Sequence, residues 1–560
     1  MDAQLFLAHA DDHEPMLKDG IPVDTTLDAP LPEQARLEVK RSARLGVEPD
    51  DLQGQQWAIV APKGPVGDRL LELVAPLRHK RESEQNREAH VFRVDPGMNG
   101  WAASNWMQGE YRDVFQRQES ARPRYLMVLG NPDVISWELQ QMLAADGFVG
   151  RVAFDQDADY ESYVDKVLRF SEKDEMPRAT ALFHTVLDGS SATQEGHRHL
   201  SRPLLELVQA CRNAGTFDID DLLDIPMDSS GSTLDPVTAV STLLRQAEKT
   251  RAAMLFTLSH GAGAPKPGWK SPDEQRAYQG AVVLGRKGDL LTANDIAHNA
   301  FLPGGVWFMF ACYGAGTPAR SAYMPWLEKL HHLGVLRQVP SEVLGSLPGE
   351  GQPPFVAALP RMALANPNGP LGVVGHVDLA WSWSFLDYEV VRRNLVAKSR
   401  MERFQGIVQG FVDGHRFGVA HHELASFFQS VGTQLTAMYE ERAQKARGLP
   451  EFAEDLPTQV RRANLWMQRQ DLQAYVLLGD PAARLPITRR PRGIPLSAPA
   501  RVQTLDPDLA DLRYDVVLAI LRGTDTPEAM ARRHGHSQAE IERWVDIFVE
   551  AGRAALGQTP

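Results

Sequence analysis

Along this chain, short unbroken apolar runs alternate with longer stretches in which apolar residues recur every three or four positions. The first run, Trp57-Ala58-Ile59-Val60-Ala61, ends in Pro62-Lys63-Gly64 and leads into Asp68–Val74 at helical spacing, which predicts a strand, a loop and a helix. A second unit runs from Tyr125–Gly130 through the helix-like Ser136–Ala145 to the strand at Val149–Ala153 and the amphipathic stretch Tyr160–Phe170. After a charged break at Glu172–Arg178 come four strands apolar on both faces: Ala179–Leu187, Ala253–Leu258, Val306–Phe310 and Leu371–Val377. Helical segments Arg202–Arg212 and Pro236–Lys249 separate the first two. Such alternation predicts an α/β fold, with mostly parallel sheets covered by helices on both faces.

The remaining stretches set the expected boundaries. Residues 1–54 are polar and punctuated by proline, with one short helix expected around Leu31–Arg44, and form an N-terminal arm that leads into the fold or inhibits it. Residues 55–175 make a first α/β subdomain and 176–488 a larger second one. Within the second, 338–370 is expected to be a long Pro/Gly-rich loop, Glu389–Lys445 mainly helical, and Ala474–Pro481 a last strand and turn. A Pro-rich linker, 489–507, precedes a helical tail at 508–560.

Composition narrows the function. At 560 residues the chain has room for a sizeable core, and a net charge of −13 argues against broad capture of nucleic acid or anionic lipid. The two cysteines, Cys211 and Cys312, exclude a disulfide framework and a Cys-rich metal site and fit a reducing compartment. Met1–Asp19 has no basic start followed by an apolar run, and no segment has about 18 consecutive apolar residues, so the expectation is a cytoplasmic protein without a membrane span.

Two strand ends carry candidate chemistry. Ala253–Leu258 runs into Ser259-His260-Gly261-Ala262-Gly263, and Val306–Phe310 into Ala311-Cys312-Tyr313-Gly314. Open α/β sheets build sites at the carboxyl ends of their strands. If the two strands are neighbours, His260 and Cys312 lie side by side. A thiolate is a nucleophile, and an imidazole beside it can take the thiol proton and return it to a leaving amine. Gly261 can bring its backbone N–H close to a substrate carbonyl and, with the N–H of Cys312, hold the oxyanion of a tetrahedral intermediate. Taken singly, Cys312 could be a small buried hydrophobe and His260 a turn residue; their matched positions favour chemistry. Cys211, inside an apolar helix, is assigned to packing.

The competing motifs are incomplete. Gly64-Pro65-Val66-Gly67-Asp68 follows a strand as a phosphate loop would but lacks the Gly-Lys-Ser/Thr ending. His197, His199, His331 and His332 lack further ligands at metal-site spacing. There is no Gly-x-Ser-x-Gly elbow. No cofactor is expected.

With these residues in place the chain resembles the caspase-like cysteine peptidases, in particular their gingipain-like branch, over roughly residues 55–487. Leu258–Gly263 looks like that family's histidine-glycine motif and Phe310–Gly314 like its cysteine motif. Tyr125–Pro132, Val149–Val152 with Asp165-Lys166, and Tyr475–Pro481 resemble further motifs in the family's order. The eukaryotic caspase glutamine before the cysteine is missing. The resemblance implies a cysteine endopeptidase acting on protein or peptide substrates, with Cys312 as nucleophile, His260 as general acid/base, and Gly261 and Cys312 as oxyanion donors. It also implies a regulated effector like the cytoplasmic caspase-like proteases of bacterial defence or cell death. The family's specificity loop falls on Asp188–Gly196, with Asp188 and Glu195, and Trp381 or Trp383 stands where the family has an aromatic pocket wall. An acidic base with an aromatic wall implies cleavage after Arg or Lys. The alternatives are a catalytically silent scaffold and a transposon-derived DNA-binding regulator.

The second alternative rests on the tail. Asp511–Leu521, Pro527–His534 and Gln538–Ala551, capped by Ser537, resemble the helix-turn-helix of transposases. Residues 508–560 carry six Arg/Lys against nine Asp/Glu, however, so phosphate would be repelled. DNA is therefore not the expected partner; docking of a partner protein or an activating ligand through this domain is.

Overall fold

A computed structural model describes residues 2–23, 47–112, 114–115, 121–172, 176–217, 219–227, 236–285, 290–334, 343–391, 394–445 and 454–488, and within the C-terminal unit 516–517, 520, 526–534, 537–538 and 540–545. Residues 1–489 and 490–560 form two separate compact units.

Twelve strands of the first unit matter for the site: β1 (Leu7–His9), β2 (Trp57–Pro62), β3 (His90–Val94), β4 (Tyr125–Leu129), β5 (Phe148–Val152), β6 (Ala179–Val186), β7 (Ile219–Met227), β8 (Ala253–Leu258), β9 (Gly261–Gly263), β10 (Val306–Phe310), β11 (Gly372–His376) and β12 (Tyr475–Gly479). Ten of them make one sheet in the order β3-β2-β4-β5-β12-β11-β10-β8-β6-β7. All its neighbouring pairs are parallel except β11–β12. β2, β4, β5, β6, β8, β10, β11 and β12 are buried at every position, which explains why apolar residues dominate them: helices cover both faces. The expected α/β architecture with a mostly parallel sheet is the one the chain adopts. The sheet runs continuously across residue 175, because β12 lies between β5 and β11.

Three motifs of the sequence turn out to be structural fasteners. Arg151 is buried and donates to the carbonyls of Gly130 (2.6 Å) and Ile135 (2.7 Å) and to Gln140 Oε1 (2.6 Å), locking the loop after β4. Lys166 is also buried and donates to the carbonyls of Leu364 (2.5 Å) and Asn366 (2.7 Å), closing the C-terminus of helix Ala358–Ala365. That helix and the strand Phe355–Val356 lie where the sequence predicts a long loop; Pro360 and the Pro/Gly-rich flanks hide them, and Lys166 supplies the missing cap from far along the chain. Asp480, in the turn after β12, accepts from Trp57 Nε1 (3.0 Å) and from Arg81 Nε (2.8 Å).

Other differences follow from local chemistry. A hairpin, Leu386–Val391 with Asn394–Ser399, precedes the helices Glu402–Val412 and Phe417–Lys445, so the expected helical stretch begins later. The helix Leu456–Gln473 leads into β12. The helix expected at Leu31–Arg44 and the linker 489–507 lie outside the described residues. In the C-terminal unit Pro527–His534 is helical, and Val516, Met530, Ala531 and Ile541 form a small core. Ser537 and Glu540 cap each other's backbone N–H. Residues 511–515, 518–519 and 521 of the first expected helix, the turn at 535–536, and residues 539 and 546–560 of the expected helix-turn-helix lie outside the described residues. Among the described residues, no helix is long and apolar enough to cross a membrane.

Candidate active site

β8 and β10 are adjacent and parallel, with Leu258 opposite Phe310; continued by two residues, the register sets His260 beside Cys312. The backbones meet there: a Cβ on Gly261 would fall 2.0 Å from the Cys312 carbonyl oxygen, so only glycine fits. Tyr313, directly after the cysteine, has φ of 54°, an unusual value for a bulky residue, which turns the chain sharply at the strand end.

The two backbone N–H groups next to the thiol converge. Gly261 N–H and Cys312 N–H both donate to one carbonyl oxygen, that of Phe6, at 3.0 and 3.3 Å. Paired donors on a single oxygen are the geometry that stabilises an oxyanion. Cys312 itself is buried, and its Sγ accepts from the Ala380 N–H at 3.1 Å. Burial pushes the thiol well above its usual pKa; the Ala380 N–H opposes this, while the charges of Asp471 and Asp378 add to it. Burial therefore favours the neutral thiol of Cys312.

His260 ends the neighbouring strand. Its Nε2 lies 3.0 Å from Ser190 Oγ and 3.5 Å from Asp188 Oδ2, while Nδ1 is buried with no hydrogen-bond partner among the described residues. Burial lowers its pKa and Asp188 raises it, with burial prevailing, so the imidazole is neutral and able to accept a proton. Asp188 Oδ1 accepts from Ser190 N–H (2.9 Å), Ser190 Oγ (2.6 Å) and Thr193 Oγ1 (2.6 Å). Burial alone would raise the Asp188 carboxyl, but His260 and these donors outweigh it and hold the group below the usual carboxylate range. Asp188 thus backs the imidazole from the Nε2 side, while the strand register sets Cys312 beside the same residue.

No family model and no curated protein matches the sequence. Among solved structures, this chain is similar to a crystal structure of the Arg-specific cysteine proteinase gingipain R (TM-score 0.39, 9% identity, covering 78% of this chain and 80% of that one). It is similar also to a structure described only as a protease (TM-score 0.41, 13% identity, 78% and 80%) and to the complex of the pro- and mature domains of Porphyromonas gingivalis RgpB (TM-score 0.35, 10% identity, 77% and 79%). At these identities the chemistry of this chain rests on its own residues.

The structure brings together His260, Gly261, Cys312 and Asp188, and leaves the other pocket candidates elsewhere. Asp188 faces the histidine, so its carboxylate is not free to meet a substrate cation. Glu195 is paired with His199 (3.2 Å) and Arg198 (3.5 Å). Trp381 and Trp383 are fully buried and pack on each other and on Trp326, with Trp383 Nε1 donating to Asn464 Oδ1. An acidic, aromatic-walled pocket suited to Arg or Lys is not formed by these four residues. Asp188's place behind the histidine is not readable from the sequence, where a carboxylate in a loop fits either role. Cys211 is half-buried and packs at the core's margin.

The Asp188 charge favours the imidazolium form of His260. In Asp188→Asn the limb of the pH–rate profile governed by His260 should therefore move to lower pH, together with a fall in kcat/KM. A limb that stays in place or moves up would show that Asp188 only holds its loop.

Proposed function

We propose that the chain is a cysteine endopeptidase of caspase-like type that hydrolyses peptide bonds through a thioester on Cys312. The observation that carries this reading is the pair of N–H donors from Gly261 and Cys312 aimed at one carbonyl oxygen beside the nucleophile. Chemically, Sγ bonds to the substrate carbonyl carbon while its proton passes to His260. His260 returns that proton to the amine as the C–N bond breaks. Water then cleaves the C–S bond, releasing the acid and restoring the thiol. Asp188 steadies the imidazolium between the two transfers.

The burial of Cys312 and His260, with the donors already occupied, supports a regulated enzyme rather than a constitutively open one. Acid quenching during turnover should trap an acyl adduct on the peptide containing Cys312, visible by mass spectrometry. Hydrolysis that proceeds with no adduct at Cys312, or with an adduct elsewhere, would overturn the assignment.

A further inference from the structure

The segment Gln4–Phe6 is held as a substrate would be held. Phe6 N–H donates to Ala380 O (3.1 Å), Leu5 bridges Trp381 in antiparallel fashion, and Ser382 N–H donates to Gln4 O (3.0 Å). Gln4 N–H completes the ladder on Ser382 Oγ (2.9 Å). An extended peptide added antiparallel to an exposed edge is a general mode of peptide capture, with main-chain bonds for affinity and side-chain pockets for selectivity. The ladder ends with the Phe6 oxygen between Gly261 N–H and Cys312 N–H, where the carbonyl of a bond to be cleaved belongs. The chain then leaves along β1, which pairs in parallel with β9.

The Phe6 side chain consequently fills the position of the residue ahead of the cleaved bond. It is fully buried, with the rings of Phe310 and Phe385 edge-on at 4.8 and 6.0 Å and the His260 ring at 6.1 Å. A Cβ on Gly196 would lie 3.1 Å from Phe6 Cε1, so a glycine keeps the pocket deep enough for a ring. A cation placed here would be desolvated, with Asp188 committed to His260 and its neighbours and Glu195 to His199 and Arg198. A carboxylate would be desolvated as well, and the one titratable ring among these walls, His260, is held neutral by burial.

Resting on the endopeptidase reading above, we propose that the site selects peptides with a bulky apolar residue, Phe or Leu, ahead of the cleaved bond, and that Gln4–Phe6 occupies that site until it is displaced. The segment thereby serves both as a plug and as a template of the substrate class.

The test reads occupancy without requiring turnover. In the full-length chain, alkylation of Cys312 by iodoacetamide is followed by mass spectrometry, with Cys211 as internal reference. Phe6→Asp, which cannot bury its charge in the pocket, should raise the Cys312 rate at least tenfold while Cys211 changes little. Phe6→Ala, which keeps the backbone ladder, should give a smaller rise and guards against a folding defect. Millimolar acetyl-Gln-Leu-Phe-amide should then restore protection in Phe6→Asp, whereas the peptides ending in Arg-, Lys- or Asp-amide should not. Equal Cys312 rates in all three proteins, or protection by the Arg, Lys or Asp peptide as strong as by the Phe peptide, would overturn the proposal. Protection by the Phe peptide without any peptide hydrolysis would instead remove the endopeptidase reading and leave the occupancy standing.

Discussion

Replacing Cys312 by Ala is expected to abolish peptide hydrolysis, with a loss in kcat on the order of 10⁴-fold or more, as when the nucleophile of a catalytic triad is removed. The reason is structural as well as chemical. Alanine keeps the backbone N–H that points at the Phe6 oxygen and keeps Gly261 against the 312 carbonyl, so the fold and the donors survive while the attacking atom of the proposed mechanism is gone. Cys211→Ala, on a helix at the edge of the core, should retain activity. Because Phe6 covers the site, both comparisons are best made in the Phe6→Asp background with peptides carrying Phe or Leu ahead of the cleaved bond. Hydrolysis retained in Cys312→Ala, or lost equally in Cys211→Ala, would remove Cys312 from the mechanism. While the site is occupied, burial favours the neutral thiol of Cys312, and the proposed mechanism assigns the uptake of its proton to His260.

The second large effect concerns stability. Asp480→Asn should destabilise the main unit by about 3–5 kcal/mol, because removing one partner leaves a buried charge without compensation. Asp480 is fully buried, and its carboxylate takes the Trp57 indole N–H, the Arg81 guanidinium (2.7 Å) and the Ala482 N–H (3.0 Å). Arg81 is buried as well, with Glu84 (2.7 Å) as its other partner, and these two acids oppose burial strongly enough to hold its pKa above the usual value. Asparagine keeps the shape but surrenders the charge that Arg81 faces. The check is the denaturant midpoint of unfolding, and a double variant, Arg81→Met with Asp480→Leu, should recover part of the loss. A drop below about 1 kcal/mol in Asp480→Asn would mean that Glu84 suffices for Arg81.

These two sites also show what the residue pattern discloses and what it conceals. The strands β2, β4, β6, β8, β10 and β12 are legible because sandwiching between helices demands apolar side chains on both faces, and few other environments do. The edge strands β3 and β7 are not. β7 carries Asp220, Asp221, Asp224 and Pro226, tolerable where one side of the ladder is open, and its composition imitates a loop. His260 and Cys312 stand out because a titratable residue at the end of an apolar run is conspicuous and the register of parallel neighbours brings such ends together. Asp188 behind the imidazole depends on which way a loop carboxylate turns, a choice made by Ser190 and Thr193 in three dimensions. Likewise, Leu5-Phe6-Leu7 is an apolar triplet in a polar arm; the ladder to Ala380 and Ser382 that gives it meaning joins residues nearly four hundred positions apart.

The insertion of β12 between β5 and β11 has a further consequence, for the order of biosynthesis. The two halves of the sheet meet through a strand that leaves the ribosome only after residue 479, so closure of the sheet is a late, long-range event. Gln4–Phe6 is by then long since made, and so are the residues that bracket it. In the order of synthesis, the occupant of the proposed site therefore precedes the strand that joins the two halves of the sheet.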